Sequence, residues 1–384
     1  MRWLIVVVMG GLGAMEAAAQ SPVVLTSSVE SGWTSNATEN RGGTADFYLR
    51  HSHDLSITGR QGPLSLRGGL MLEQEVFRFH AGENDLSVTG GIEAGLALGE
   101  GRSLRLGYAL TQTWTGEMVD LGPAMLALNS PALEHEMLGE IIVTGPDRAV
   151  TIGVDAKRRQ PGLSRFEGLP LPPSRIDPEL GQVTARIDGE WVLTPEMAGL
   201  ARFHWTMLSV PDGDRVQFGR EPASAARMAA GLRLRQGSWS VQARAGLDLV
   251  WPEAAPHLLR RLPHIDAAGE LALTERLTLN ARAVAGVELF NPVDGVAGRQ
   301  TEAELGARLA LTETLSLSAG LAVSREQGLY DESLIATRRS LHGAVSRTFA
   351  PGIEGSFKAS HAEVEEPGNA YGVTTIGLTL AGRV

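Results

Sequence analysis

The sequence predicts an all-β fold: a single antiparallel, up-and-down transmembrane β-barrel of about 18 strands, with short periplasmic turns and longer extracellular loops. Three observations predict it. Apolar residues recur at every second position from residue 23 to the end. The alternating runs last about 10–14 residues, against roughly 5–6 for a strand of an ordinary soluble sheet. Short and long connections alternate strictly along the chain.

The alternation is clearest in two runs. Over 277–289, Leu277, Leu279, Ala281, Ala283, Ala285, Val287 and Leu289 share one face, against Thr278, Asn280, Arg282, Val284, Gly286 and Glu288. Over 303–311, Ala303, Leu305, Ala307, Leu309 and Leu311 oppose Glu304, Gly306, Arg308 and Ala310. A period of two is a strand, and a long, small, apolar face suits a wall against lipid. By this register Leu279, Leu309 and Leu317 point outward, and Asn280, Ala310 and Ser316 inward.

Short turns fall near Gly59–Pro63, Gly99–Arg102, Gly145–Arg148, Thr194–Met197, Gln236–Ser238, Thr274–Arg276, Thr312–Thr314 and Ala350–Gly352. Longer connections fall near 37–44, 79–85, 118–133, 160–181, 210–224, 251–264, 291–300, 327–338 and 365–371. These seventeen connections give eighteen strands, an even number that puts both ends on one side. A Thr-x-(Glu or Arg) turn recurs at Thr274, Thr312 and, more loosely, Thr194, each time between two alternating strands. A β-propeller would instead show regular blades of about 40 residues, and a soluble sandwich would turn every 8–12 residues or so.

Composition narrows the function. The net charge is −10, only Lys157 and Lys358 are lysines, and no basic run occurs, which argues against a nucleic-acid partner. The absence of cysteine excludes disulfides, iron–sulfur clusters and thiolate-bound zinc. Residues 1–19 read as a cleaved signal peptide: Arg2, an apolar run over Leu4–Leu12, then Ala17, Ala18 and Ala19 before Gln20. Residues 20–384 then form one outer-membrane β-barrel, with no later apolar stretch long enough for a membrane helix.

The opening strand, with Gly32-Trp33-Thr34-Ser35-Asn36 in its Val29–Thr38 stretch, resembles the Gram-negative outer-membrane proteins of the β-barrel porin type. The resemblance covers the mature chain as architecture. It implies a barrel in the bacterial outer membrane, in contact with lipid and lipopolysaccharide and with the barrel-insertion machinery during biogenesis. The chain departs from the common pattern in ending on Val384 rather than an aromatic residue. Rings near strand ends read as girdles: Trp33, Phe47, Phe79, Trp114, Trp251 and Phe290 toward the outer rim, Trp191, Trp239 and Phe349 toward the inner one.

No catalytic set emerges: HExxH, GxSxG, SxxK, P-loop and GxGxxG are all absent. His51 and His53 share a face, but a metal wants three or four ligands, so they read as polar residues near the rim of strand 2, and no metal or cofactor is expected. The lumen holds the candidate site. Arg202, Arg227, Arg233, Arg235 and Arg244 point inward against Asp248, and Glu30, Asp46, Asp54, Glu73, Glu75 and Glu93 point inward against Arg50 and Arg67. Strand 10 lies opposite strand 1 on a ring of eighteen, so an arginine-rich wall is expected to face an acidic one. Asp266, Glu270, Glu288, Glu302 and Glu304 are expected to pair locally with Arg282 and Arg308.

The reading that follows is a passive, porin-like transport channel for small hydrophilic solutes or an exported polymer, since barrels of roughly 16–18 strands leave an aqueous lumen. No energy-coupling segment is expected before strand 1. A surface barrel that binds partners through its outer loops is the alternative, and a hydrolase at the rim the least favoured. Protein recovered from the outer membrane should begin at Gln20 on N-terminal sequencing. Retention of residues 1–19, or recovery with the inner membrane, would contradict the leader assignment.

Overall fold

The computed structural model describes residues 23–120, 125–167, 170–290 and 294–384. The signal-peptide assignment over 1–19 lies outside the described residues. The chain forms a closed antiparallel barrel of 18 strands. These are β1 (Val23–Thr34), β2 (Asp46–Gln61), β3 (Leu64–Phe77), β4 (Asp85–Gly99), β5 (Arg102–Asp120), β6 (Met125–Thr144), β7 (Arg148–Pro161), β8 (Leu180–Thr194), β9 (Met197–Ser209), β10 (Ala223–Gln236), β11 (Trp239–Pro252), β12 (Arg260–Ala272), β13 (Leu277–Glu288), β14 (Gly298–Ala310), β15 (Leu315–Gly328), β16 (Ile335–Ala350), β17 (Ile353–Glu366) and β18 (Asn369–Arg383). Each pairs with its chain neighbours, and β1 pairs with β18 from Thr26↔Arg383 to Thr34↔Thr375 to close the ring.

All eight short turns are present. Gly62 and Gly237 adopt φ of 57° and 53°, a left-handed backbone that tight hairpins require and glycine meets without strain. The recurring threonine has a mechanism: Thr274 Oγ1 accepts the Arg276 and Leu277 N–H groups at 3.2 and 3.0 Å. Thr312 Oγ1 does the same for Thr314 and Leu315 at 3.3 and 3.0 Å. The hydroxyl satisfies turn amides that no strand can reach.

One connection differs from the sequence reading. Residues 118–133 are not a loop: β5 and β6 stay paired from Asp120↔Met125 downward, as a long hairpin. The alternation of Leu126, Leu128, Pro131 and Leu133 is broken by proline, which masks a strand in sequence. A three-residue strand at Arg165–Glu167, in the connection after β7, extends the sheet on the outer end of β6.

The outward face carries the exposed aliphatic residues, among them Ile92, Leu106, Ile152, Ile187, Leu232, Leu247, Leu305, Leu321 and Leu378. Hydrocarbon in place of water would make this exposure favourable. Leu305→Arg puts a charge on this face, at a cost of roughly 2–4 kcal/mol at mid-membrane. Ala322→Arg puts the same charge inward, opposite Glu304. Folding yield into lipid vesicles should fall for the first and hold for the second. Equal yields would mean that the faces are misassigned.

Candidate functional site

Bonds that skip strands identify the concave face. Arg202 of β9 reaches Asp266 of β12 at 3.2 Å. Arg227 of β10 reaches the Val287 carbonyl of β13 at 3.4 Å, and Lys358 of β17 reaches Glu30 of β1 at 3.1 Å. By strand alternation Arg202, Arg227, Arg233, Arg235 and Arg244, and Glu30, Asp46, Asp54, Glu73, Glu75 and Glu93, all lie on that face.

The arginines do not form a bare wall. Arg202 donates to Asp188 at 2.7 Å and Arg244 to Asp266 at 3.1 Å. Arg227 makes a two-pronged contact to Asp248 at 2.8 and 3.0 Å. Arg233 binds Glu190, with Nη1 to Oε2 at 2.9 Å. The expected single opposing carboxylate, Asp248, is thus joined by Asp188, Glu190 and Asp266 from neighbouring strands. Across the ring, Arg50 pairs with Glu75 at 2.7 Å, and Arg105 with Glu93 at 2.7 Å. Asp266 turns to Arg202 and Arg244 rather than to Arg282. Local pairing prevails because a charge near low-dielectric walls gains more from an adjacent partner than from one across water.

Asp46 serves the scaffold. It is buried, and its carboxylate accepts the N–H groups of Phe47, Phe79 and His80 at 2.7, 2.8 and 2.9 Å, tying down the β3–β4 connection.

The outer mouth is asymmetric, a feature that strand alternation does not reveal. On the β7–β15 side, Leu180, Leu208, Val210, Ala223, Val250, Leu289, Phe290, Ala297 and Leu329 form one buried apolar cluster. Helix α1 (Asp212–Phe218) follows Val210 in the chain, and Val287, Val296 and Tyr330 pack against the cluster. Arg220 fastens it by donating to the Leu289 carbonyl and, at 3.2 Å, to that of Phe290. Burial pulls the Arg220 pKa down to about 10, which still leaves it charged at neutral pH. Asp294 accepts the Val296 and Ala297 amides at 2.9 and 2.7 Å and the Tyr330 amide at 2.8 Å. Arg175, in the connection after β7, binds Asp214 of α1.

Beneath this cluster the end of β13 bends into the lumen, so that Val287 N donates to Asp248 at 2.9 Å. Gly286 allows the approach: a Cβ there would lie 2.6 Å from Arg227 Nη2 and 3.1 Å from His264 Nδ1. Phe290, expected in the outer girdle, instead lies inside, with Lys157 Nζ of β7 4.9 Å from its ring centroid. The segment after β13 therefore reaches a strand six places away around the ring.

On the opposite side lies a cavity of about 1120 Å³. It runs from Glu39, Arg41 and Gly368 at the outer loops down to Glu30 and Lys358. Arg50, Arg338 and Lys358 line it from β2, β16 and β17, and Glu83, Asp85 and Glu117 from β4, β5 and the loop before β4. Burial pushes the Glu83 carboxyl up to about 7, reinforced by Glu117, Asp85 and Glu39 and opposed by the N–H it accepts from Met118 at 2.7 Å.

The histidine pair is not at a rim. His51 and His53 point outward from the middle of β2, between Leu49 and Leu55. Among the described residues, no group of three or more His, Asp or Glu side chains is arranged to hold a metal.

No family model matches the sequence, and no curated protein matches it. Among solved structures, the chain is similar to Acinetobacter baumannii OccAB4, with a TM-score of 0.51 at 8% identity over 96% of this chain and 99% of that one. It is similar to Pseudomonas aeruginosa OccK5 (OpdH), with a TM-score of 0.52 at 9% identity over 94% and 98% of the two chains. It is also similar to the ferric citrate transporter FecA in its unliganded form, with a TM-score of 0.52 at 10% identity over 91% of this chain, which spans 61% of the FecA chain. At these identities the likeness is one of fold, and the fold is that of the outer-membrane β-barrel porins.

Proposed function

We propose that the chain is a passive, non-catalytic channel in the outer membrane of a Gram-negative bacterium, and that small hydrophilic solutes pass through it along the off-axis cavity. The observation that carries this reading is the mixed-charge cavity of about 1120 Å³ on the concave face of a closed 18-strand barrel. Barrels of roughly this strand number enclose water. The apolar loop cluster obstructs the other side of the mouth, which favours small solutes over an exported polymer. Structural neighbours that are transport channels support the same reading.

Purified protein in planar bilayers should give discrete ohmic steps. Arg220→Ala releases the Leu289 and Phe290 carbonyls from their donor, loosening the loop cluster, and should raise conductance and current noise. A parent protein without conductance would contradict the channel reading and favour a surface barrel with a structural role.

The Glu83 carboxyl gives a pH signature. With its pKa raised to about 7, it is neutral below that pH and ionised above it. Cation preference, measured as reversal potential under a salt gradient, should therefore rise as pH passes through 7. Glu83→Gln should remove that step. The contrast should be sharpest at low salt, because the Debye length is about 10 Å at 0.1 M and shortens as salt is added.

A further inference from the structure

On the lipid-facing surface the middle of β2 carries two polar side chains in succession. On β2 the outward series runs Phe47, Leu49, His51, His53, Leu55, Ile57. A tilted strand crosses a hydrocarbon belt of about 25 Å in roughly ten residues, so the two imidazoles sit near its middle. Gln74 of β3 is the register partner of His51 on the same face. Ser27 and Ser31 of β1 flank the pair.

The His53 ring is steered by Ser27 Oγ, 3.0 Å from its Nδ1. Neither the His51 ring nor the Gln74 amide has a hydrogen-bond partner among the described residues. Other outward histidines differ: His135 Nδ1 bonds Tyr108 Oη at 2.9 Å, and His361 Nδ1 bonds Thr374 Oγ1 at 2.9 Å. From β8 to β13 the outward positions between the rims carry no histidine, amide or charge.

We propose that a second copy of this chain covers the β1–β3 face, related to the first by a two-fold axis along the membrane normal. Lipid tails offer these groups no partner, and an unpaired polar group in hydrocarbon is costly. A two-fold axis along the normal preserves depth, so each patch meets its own equivalent. Neutral imidazole and carboxamide each carry a donor and an acceptor, which makes the patch complementary to itself. Ser27, Ser31 and Gly68 are small enough to let the walls approach.

The chain has no cysteine, so a single engineered thiol reads the interface cleanly. In native membranes under mild oxidation, Ser31→Cys should give a disulfide-linked dimer, and Ala283→Cys on β13 should not. In the Ser31→Cys background, the triple change His51→Leu, His53→Leu, Gln74→Leu should cut cross-linking by roughly tenfold, the scale expected for losing polar contacts in a membrane. Barrel folding is followed separately by heat-modifiable gel mobility. Native mass spectrometry of the unaltered protein should give the dimer mass. A monomer, a trimer, cross-linking through Ala283→Cys as strong as through Ser31→Cys, or a folded triple variant that cross-links undiminished would each overturn the proposal.

Discussion

The constraint on which the rest depends is that a backbone in hydrocarbon must satisfy every N–H and C=O within the protein. An open sheet would leave two unpaired edges. Here β1 and β18 meet along nine register pairs, and beyond them Leu25 and Val384 exchange N–H···O bonds of 3.0 and 2.9 Å. Once the ring closes, alternation divides every strand into a face toward lipid and a face toward the lumen. The long strands, the hairpin glycines and the threonine-capped turns all serve that closure.

The lumen then has a problem of its own. Half of each strand faces inward, and much of that half is charged. Adjacent strands solve it pairwise: Arg202 with Asp188, Arg227 with Asp248, Arg233 with Glu190, Arg50 with Glu75. The consequence is a mouth of two unlike halves. On the β7–β15 side an apolar loop cluster closes over the outer end, and Asp248 beneath it is only 1% exposed. Over β1–β5 and β16–β18 the charges line a cavity, where the half-buried Glu83 carboxyl holds a proton more tightly than a free carboxylate does. A solute would meet a sided vestibule rather than a ring of uniform field.

The barrel was legible because its signal is repeated eighteen times. Strand faces such as Leu277–Val287 and Ala303–Leu311 follow from period two alone, and Gly62 and Gly237 mark turns by their backbone freedom. The extracellular arrangement was not legible, because loop packing depends on contacts distant in sequence. Arg220 and Leu289 are 69 residues apart, and nothing near either one announces the other. Phe290 looked like a girdle residue because it follows an alternating strand; the bend after Gly286 turns it inward. The charged residues can be assigned to strands from the alternation, but their partners cannot, since counting residues around a ring does not weigh the strand next door. His51 and His53 could be read as a shared face, yet their depth emerged only when the ends of β2 were fixed at Asp46 and Gln61.

The most direct test of the off-axis pathway is site-specific block of single-channel current in planar bilayers. Thr115→Cys places a thiol in the cavity wall, and Val216→Cys places one on the exposed surface of α1, on the loop-cluster side. A bulky, water-soluble thiol reagent should reduce the current through the first variant and leave the second unchanged. Block through Val216→Cys with none through Thr115→Cys would place the pathway on the wrong side of the barrel and contradict the account.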